Sequence, residues 1–136
     1  MAILIDADVL IESERGRFDL PAWIESQSPD YCILAAITLA EFRHGIERAT
    51  GAHRIRRQRF LDEVLLPAFE ILPYTETTAA VHARLWAEQE ATGRLIGDYD
   101  LILAASALEH AASVATFNTR HFSMVAGLRV LVPGGN

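Results

Sequence analysis

Two aspartates, Asp6 and Asp8, stand one residue apart directly behind the apolar run "AILI". That is a poor place for charge in an ordinary core strand. It fits a phosphoryl-accepting nucleophile with its partner acid, a metal ligand with a helper, or the polar end of a strand. Three more acids stand out: Glu41 in "TLAEFRHG", and Asp98 and Asp100 in "GDYDLILAASA". Each has an ordinary structural use. Acids at a helix start satisfy free amides and complement the macrodipole, and Thr38 with Glu41 matches a capping box. Glu41 also lies opposite the Leu39/Phe42/Ile46 stripe of its helix, on the side of Gly45. A mid-helix glycine costs about 1 kcal/mol relative to alanine, which predicts a close approach on that face.

Carboxylates gathered in one cleft repel and hold their protons unless a cation neutralises them. Hard oxygen donors of this kind suit Mg²⁺ or Mn²⁺, which take one or two carboxylates and keep several waters. Such an ion activates water and stabilises charge on a phosphoryl oxygen. His44, His53, His82, His110 and His121 form no zinc-like spacing and read as surface or capping residues.

The chain has 136 residues, 51% of them hydrophobic and 22% charged, the profile of a single globular domain over 1–136 with its own core. The lone Cys32, in "YCIL", reads as a small buried hydrophobe. Met1-Ala2 supplies no basic leader, and no uncharged apolar run approaches the roughly 18 residues of a membrane span. A cytoplasmic protein is expected. The net charge of −6 does not itself suggest nucleic acid, and all twelve basic residues are arginine. Any phosphate contact is therefore guanidinium-based, and no catalytic lysine exists.

The elements that must position the acids alternate between short apolar runs and amphipathic stretches. Strands are expected at "AILID", "YCIL", "FEIL", "SVAT" and "RVLV". Helices are expected at "LPAWIES", over 38–49, over 53–66 with Pro67 as the stop, over 77–92 closed by Gly93, from Asp98 onward, and over 119–125. The basic helix "HRIRRQRF" would turn Ile55, Phe60 and Val64 to the core. Its Arg54, Arg56, Arg57 and Arg59 either contact an RNA backbone or form a solvated face. The alternation implies a mostly parallel sheet of about five strands covered on both faces, a three-layer α/β/α fold. Sites in such sheets form at the carboxyl ends of strands, where Asp6 falls.

"ILIDADVLIES", "ITLAEFRHGIERA", "GRLIGDYDLILAASALEH" and "VATFNTRHF" together resemble the four ordered motifs of PIN-domain ribonucleases, and more narrowly those of VapC-type toxins from bacterial toxin–antitoxin pairs. The match spans nearly the whole chain. It implies a PIN-like fold and an Mg²⁺- or Mn²⁺-dependent endoribonuclease holding one or two ions. Asp6, Glu41 and Asp100 would be the core acidic ligands, with Asp98 at the rim. Asn118 would be the catalytic position of the last motif, flanked by Thr116 and Arg120. Asp8, Thr38 and Thr116 would support the ligands, and Arg120 would join the arginines that meet RNA. Two departures stand out: Ala7-Asp8 where relatives often have Thr-Asn or Thr-Ser, and Asn118 and His121 where many carry an acid. The resemblance also implies an RNA substrate, with tRNA a candidate, a VapB-type antitoxin, and a homodimer.

Two rivals remain at this level. "IDADVL" also fits the Asp-x-Asp-x-Val/Thr signature of haloacid-dehalogenase-type phosphatases, with Asp6 as covalent nucleophile. The missing lysine and an idle Glu41 count against that. A non-catalytic PIN-like module that only binds a partner or RNA is the other, and it gives no physical reason to keep the Asp6/Glu41/Asp100 repulsion.

Overall fold

The first strand is so apolar that both its faces must be covered, and the rest of the fold follows from how that is done. The computed structural model describes residues 1–134; the last two residues of the expected domain lie outside that range. β1 (Ala2–Ile5) is buried at every position. Around it lie β2 (Tyr31–Ala35), β3 (Ile71–Leu72), β4 (Ser113–Ala115) and β5 (Val130–Leu131), in the order β3-β2-β1-β4-β5. Every pairing is parallel, with Ile3 beside Cys32 on one side and Ser113 on the other.

Side chains alternate across the sheet and divide the core into two clusters. Leu4, Ile33, Ala35 and Val114 face α6 (Glu76–Thr92) and α7 (Asp98–Glu109). Ile5 and Leu34 face the other layer with Val9, Leu10, Phe42, Ile46, Leu61 and Leu65. That layer is built from α1 (Ala7–Glu14), α2 (Leu20–Ser26), α3 (Ala36–Arg48) and α4 (Gly51–Phe60), followed by a π-helical turn at Leu61–Leu65 and the short α5 (Leu66–Ala68). A last short helix, α8 (Thr119–Phe122), follows β4 and anchors the buried Phe122. This is the expected three-layer arrangement, with a sheet that is wholly parallel.

Several local expectations are corrected. Residues 7–14 form α1, a helix that no periodicity announced. Residue 38 does not start α3: β2 runs straight into the helix at Ala36 with Ala35 as N-cap, and no side chain caps it. Thr38 is therefore a buried residue one turn in, and its capping box with Glu41 does not form. Pro67 does not stop a helix over 53–66. The π turn shifts the backbone register, so Pro67 falls in the first turn of α5, where its missing N–H costs little. Ile55 is 62% exposed, not a core residue. A Cβ at Gly45 would meet open space; what reaches that turn is the Arg57 guanidinium, donating to the Gly45 carbonyl at 3.0 Å.

Other expectations hold. α6 ends at Gly93 in the left-handed conformation (φ 70°), where glycine suffers no Cβ clash. Cys32, expected to be buried, is only partly so, and it packs against the second cluster. Burial, then the charge of Asp30, pushes its thiol up to about 11.

Candidate active site

The strand order makes one crevice special. From β1 the chain moves to β2 and β3 on one side, and then returns to β4 and β5 on the other. β1 and β4 are thus the neighbours whose loops diverge, and ligands in parallel sheets bind outside the carboxyl ends of such a pair. Asp6 follows β1 and Thr116 follows β4. The Asp6 amide closes the pairing by donating to the Ala115 carbonyl at 2.9 Å.

Asp6 is both the end of the strand and the N-cap of α1. Its Oδ1 accepts from the Ala7 amide at 2.8 Å, and its Oδ2 accepts from the Thr116 hydroxyl at 2.9 Å. Both oxygens are thereby fixed, and the side chain is 6% exposed. Burial first, then the charge of Asp8 and further off that of Asp100, raises its pKa from the ordinary 3.8 to about 6, against the lowering effect of the Thr116 and Ala7 bonds. Glu41 reaches the same pocket from α3. Burial, then Asp6, Asp100 and Asp8 in that order, lift it from 4.5 to about 7. Its Oε1 is buried without a hydrogen-bond partner, and so is the Thr38 hydroxyl one turn before it.

Asp100 enters from the first turn of α7, and its Oδ2 pairs with His121 Nδ1 at 2.9 Å. This contact turns a supposed surface histidine into part of the site. The only sequence signal for it was its place in the motif "VATFNTRHF". Asp8 faces the loop after β4: its Oδ2 accepts from the Phe117 amide at 3.0 Å and lies 3.3 Å from the Thr116 hydroxyl. Burial still raises its pKa above the ordinary value. Thr116 is fully buried and has one proton to give. The short contact sends that proton to Asp6, while the hydroxyl oxygen accepts from the Asn118 amide at 3.0 Å.

Among the described residues the side chains of the remaining sequence-based candidates make no hydrogen bond to these acids. Asp98 is exposed at the start of α7. Asn118 is exposed and joins through its backbone, and its side chain does not cap α8. Arg120 is exposed on α8. The arginines of α4 have local partners: Arg54 with Glu47 at 3.6 Å, Arg56 with Glu14 at 3.0 Å, Arg59 with Glu63 at 3.5 Å, and Arg57 with the Gly45 carbonyl.

Among the described residues no group of three or more His, Cys, Asp or Glu side chains is arranged to close on one metal ion. The acids nonetheless fit a hard divalent cation. Three elements bring mutually repelling carboxyls to one crevice, and a buried carboxylate oxygen there has no donor. Mg²⁺ needs one or two carboxylates and waters, not a closed protein cage. The phosphatase alternative fares worse, because it leaves Glu41, with its buried and donorless oxygen, without a role.

Comparison with known proteins gives a consistent result. Residues 3–128 match the model of the PIN domain. The chain is 34% identical to VapC ribonuclease Y4jK of Sinorhizobium fredii, over 96% of each chain. It superposes on FitAcB from Neisseria gonorrhoeae with a TM-score of 0.85 and 31% identity, covering 98% of this chain and 99% of that one. VapBC-5 from Mycobacterium tuberculosis, a member of the VapBC family of toxin–antitoxin systems, gives 0.73 at 25% identity, with 96% and 97% covered.

Proposed function

This chain belongs to the PIN-domain family, and on that premise we propose that it is a ribonuclease toxin, an endoribonuclease that hydrolyses RNA phosphodiester bonds and is inhibited by a VapB-type antitoxin. The observation that carries the reading is a carboxyl, Glu41, that feels the charges of Asp6, Asp100 and Asp8 and keeps a buried oxygen with no donor. Asp6, Glu41 and Asp100, with Asp98 at the rim, would hold Mg²⁺ or Mn²⁺, which when bound supplies an activated water and stabilises charge on the phosphoryl oxygen.

The chain's own groups do the rest. Asp6 is held rigid by the Ala7 amide and the Thr116 hydroxyl, so it presents fixed negative charge at the strand end. Glu41 has one buried carboxylate oxygen with no protein donor, the oxygen it can turn to the ion or to a water beside it. His121 orients Asp100 by occupying one of its two oxygens. Asn118 serves the site through the amide that fixes Thr116. The full chain is read as one domain, and as a homodimer in the cytoplasm. The exposure of Tyr74 and Trp86 on and beside α6 is compatible with a second copy, and among the described residues no helix is long and apolar enough to cross a membrane.

The test is cleavage of an RNA panel, tRNAs and structured fragments included, by purified protein with Mg²⁺, Mn²⁺ or EDTA, with Asp6→Asn and Asp100→Asn alongside. Discrete, metal-dependent products that vanish in both variants are expected. Wild-type cleavage by either variant would sink the assignment. Co-expression with a neighbouring antitoxin gene should relieve growth arrest, and arrest undiminished by every adjacent candidate would refute the pairing.

A further inference from the structure

α1 carries Asp8, Ile11 and Glu12, and its C-cap Arg15 continues the same face, at spacings of three and four. That face is one wall of an open groove; Arg17, Phe18 and Phe117 form the other. Asp8 ties the groove to the acidic crevice, since Thr116 touches both Asp8 and Asp6. The far end passes into a second concavity that shares Arg15 and Arg17 and adds Glu14, His53, Arg56 and Arg57. The groove thus runs the length of α1, roughly 12 Å at 1.5 Å per residue, from the acids to a cluster of guanidinium groups.

Two properties of this groove stand out. Four arginines face three carboxylates there: Asp8 accepts from the Phe117 amide, Glu12 pairs with Arg17 at 3.5 Å and Glu14 with Arg56 at 3.0 Å. Arg15 and Arg57 have no carboxylate partner among the described residues, so positive charge is in local excess on a chain of net charge −6. Phe117 is 37% exposed and meets Phe18 edge to face, with ring centroids 5.4 Å apart. The Phe117 amide is itself pinned by Asp8, so this ring is placed with the site and not left to a loose loop.

We propose that this groove is the substrate's track beside the scissile phosphate: a nucleobase of single-stranded RNA stacks on Phe117, and the following phosphates bind Arg15 and Arg17. Aromatic platforms and guanidinium groups along a groove are the means by which single strands are held without base-specific contacts. Arg17 is exposed and meets the half-buried Glu12 only at 3.5 Å, so its guanidinium can swing to a phosphate at small cost. The inference rests on the ribonuclease reading, and it names the residues that hold the single strand beside the acids.

The test uses the full chain with Asp6→Asn to stop cleavage, and a single-stranded oligoribonucleotide containing 2-aminopurine as probe. Phe117→Leu should keep packing on Phe18 yet weaken binding about tenfold and abolish stacking-induced quenching, and Phe117→Tyr should restore both. Arg15→Gln with Arg17→Gln should also weaken binding about tenfold and flatten the slope of log affinity against log salt by about 1.4. These arginines are exposed, so the pair remains informative if Phe117→Leu does not fold. Unchanged affinity, quenching and salt slope in variants of a parent that binds RNA would overturn the track and leave the nuclease standing. Loss of antitoxin binding with RNA binding intact would assign the groove to the antitoxin and overturn the proposal. A parent chain that neither binds nor, as wild type, cleaves RNA with Mg²⁺ or Mn²⁺ would overturn both readings.

Discussion

Thr116 shows how few atoms decide the character of this site. One buried hydroxyl proton goes to Asp6, and without it that carboxyl would hold its proton to still higher pH. Asp6 and Glu41 keep their protons in the folded chain to about 6 and about 7, against 3.8 and 4.5 ordinarily. Between roughly pH 4 and 7 the folded state therefore binds more protons than the unfolded state, so stability of the metal-free protein falls as pH rises through that window. At about 1.4 kcal/mol per pH unit, Asp6 alone accounts for roughly 3 kcal/mol, an upper figure for so coupled a pair. Thermal melts in EDTA should show a midpoint that drops from pH 5 to pH 7.5, with a shallower drop in Asp6→Asn, which should melt higher than wild type at pH 7.5. Adding Mg²⁺ at pH 7.5 should raise the wild-type midpoint and leave the variant nearly unmoved. A wild-type midpoint indifferent to pH and metal would contradict the crowded acidic crevice.

At the level of elements, the reading from sequence succeeded where chemistry and pattern coincide. The place of Asp6 at the end of a buried strand was legible from the apolar run before it, and α6 from the long amphipathic run that Gly93 closes. α1 was not, because eight residues with Val9 and Ile11 among them look like an extension of β1; only docking on the sheet makes them helical. The π turn was also hidden, since an inserted residue scrambles the period by which helices are recognised. His121 was missed because its partner lies 21 residues away on another helix. One inter-element bond can be tested directly. The Thr78 hydroxyl donates to Glu109 Oε2 at 2.6 Å and ties the start of α6 to the end of α7. Thr78→Val leaves a mostly buried carboxylate short of a donor and should cost about 1–3 kcal/mol in urea unfolding. Thr78→Ser should recover most of it, and a neutral Thr78→Val would show that the two helices are held by apolar packing alone.

For the molecule as a whole, stability rests on two apolar clusters that share β1 as their common wall. Leu4 is fully buried on one face and Ile5 on the other. Leu4→Ala should lower unfolding free energy by roughly 3–5 kcal/mol in urea, with or without metal, since it opens a void in a strand with no free side. A loss under about 1 kcal/mol would mean that the layer can collapse around the gap. The outermost strands, β3 and β5, have another bearing. Each is two residues long, Ile71–Leu72 and Val130–Leu131. A boundary that brief offers almost no row of open amides and carbonyls for a foreign strand to read. Copies of this chain therefore have little means of zipping rim to rim into a continuous ribbon.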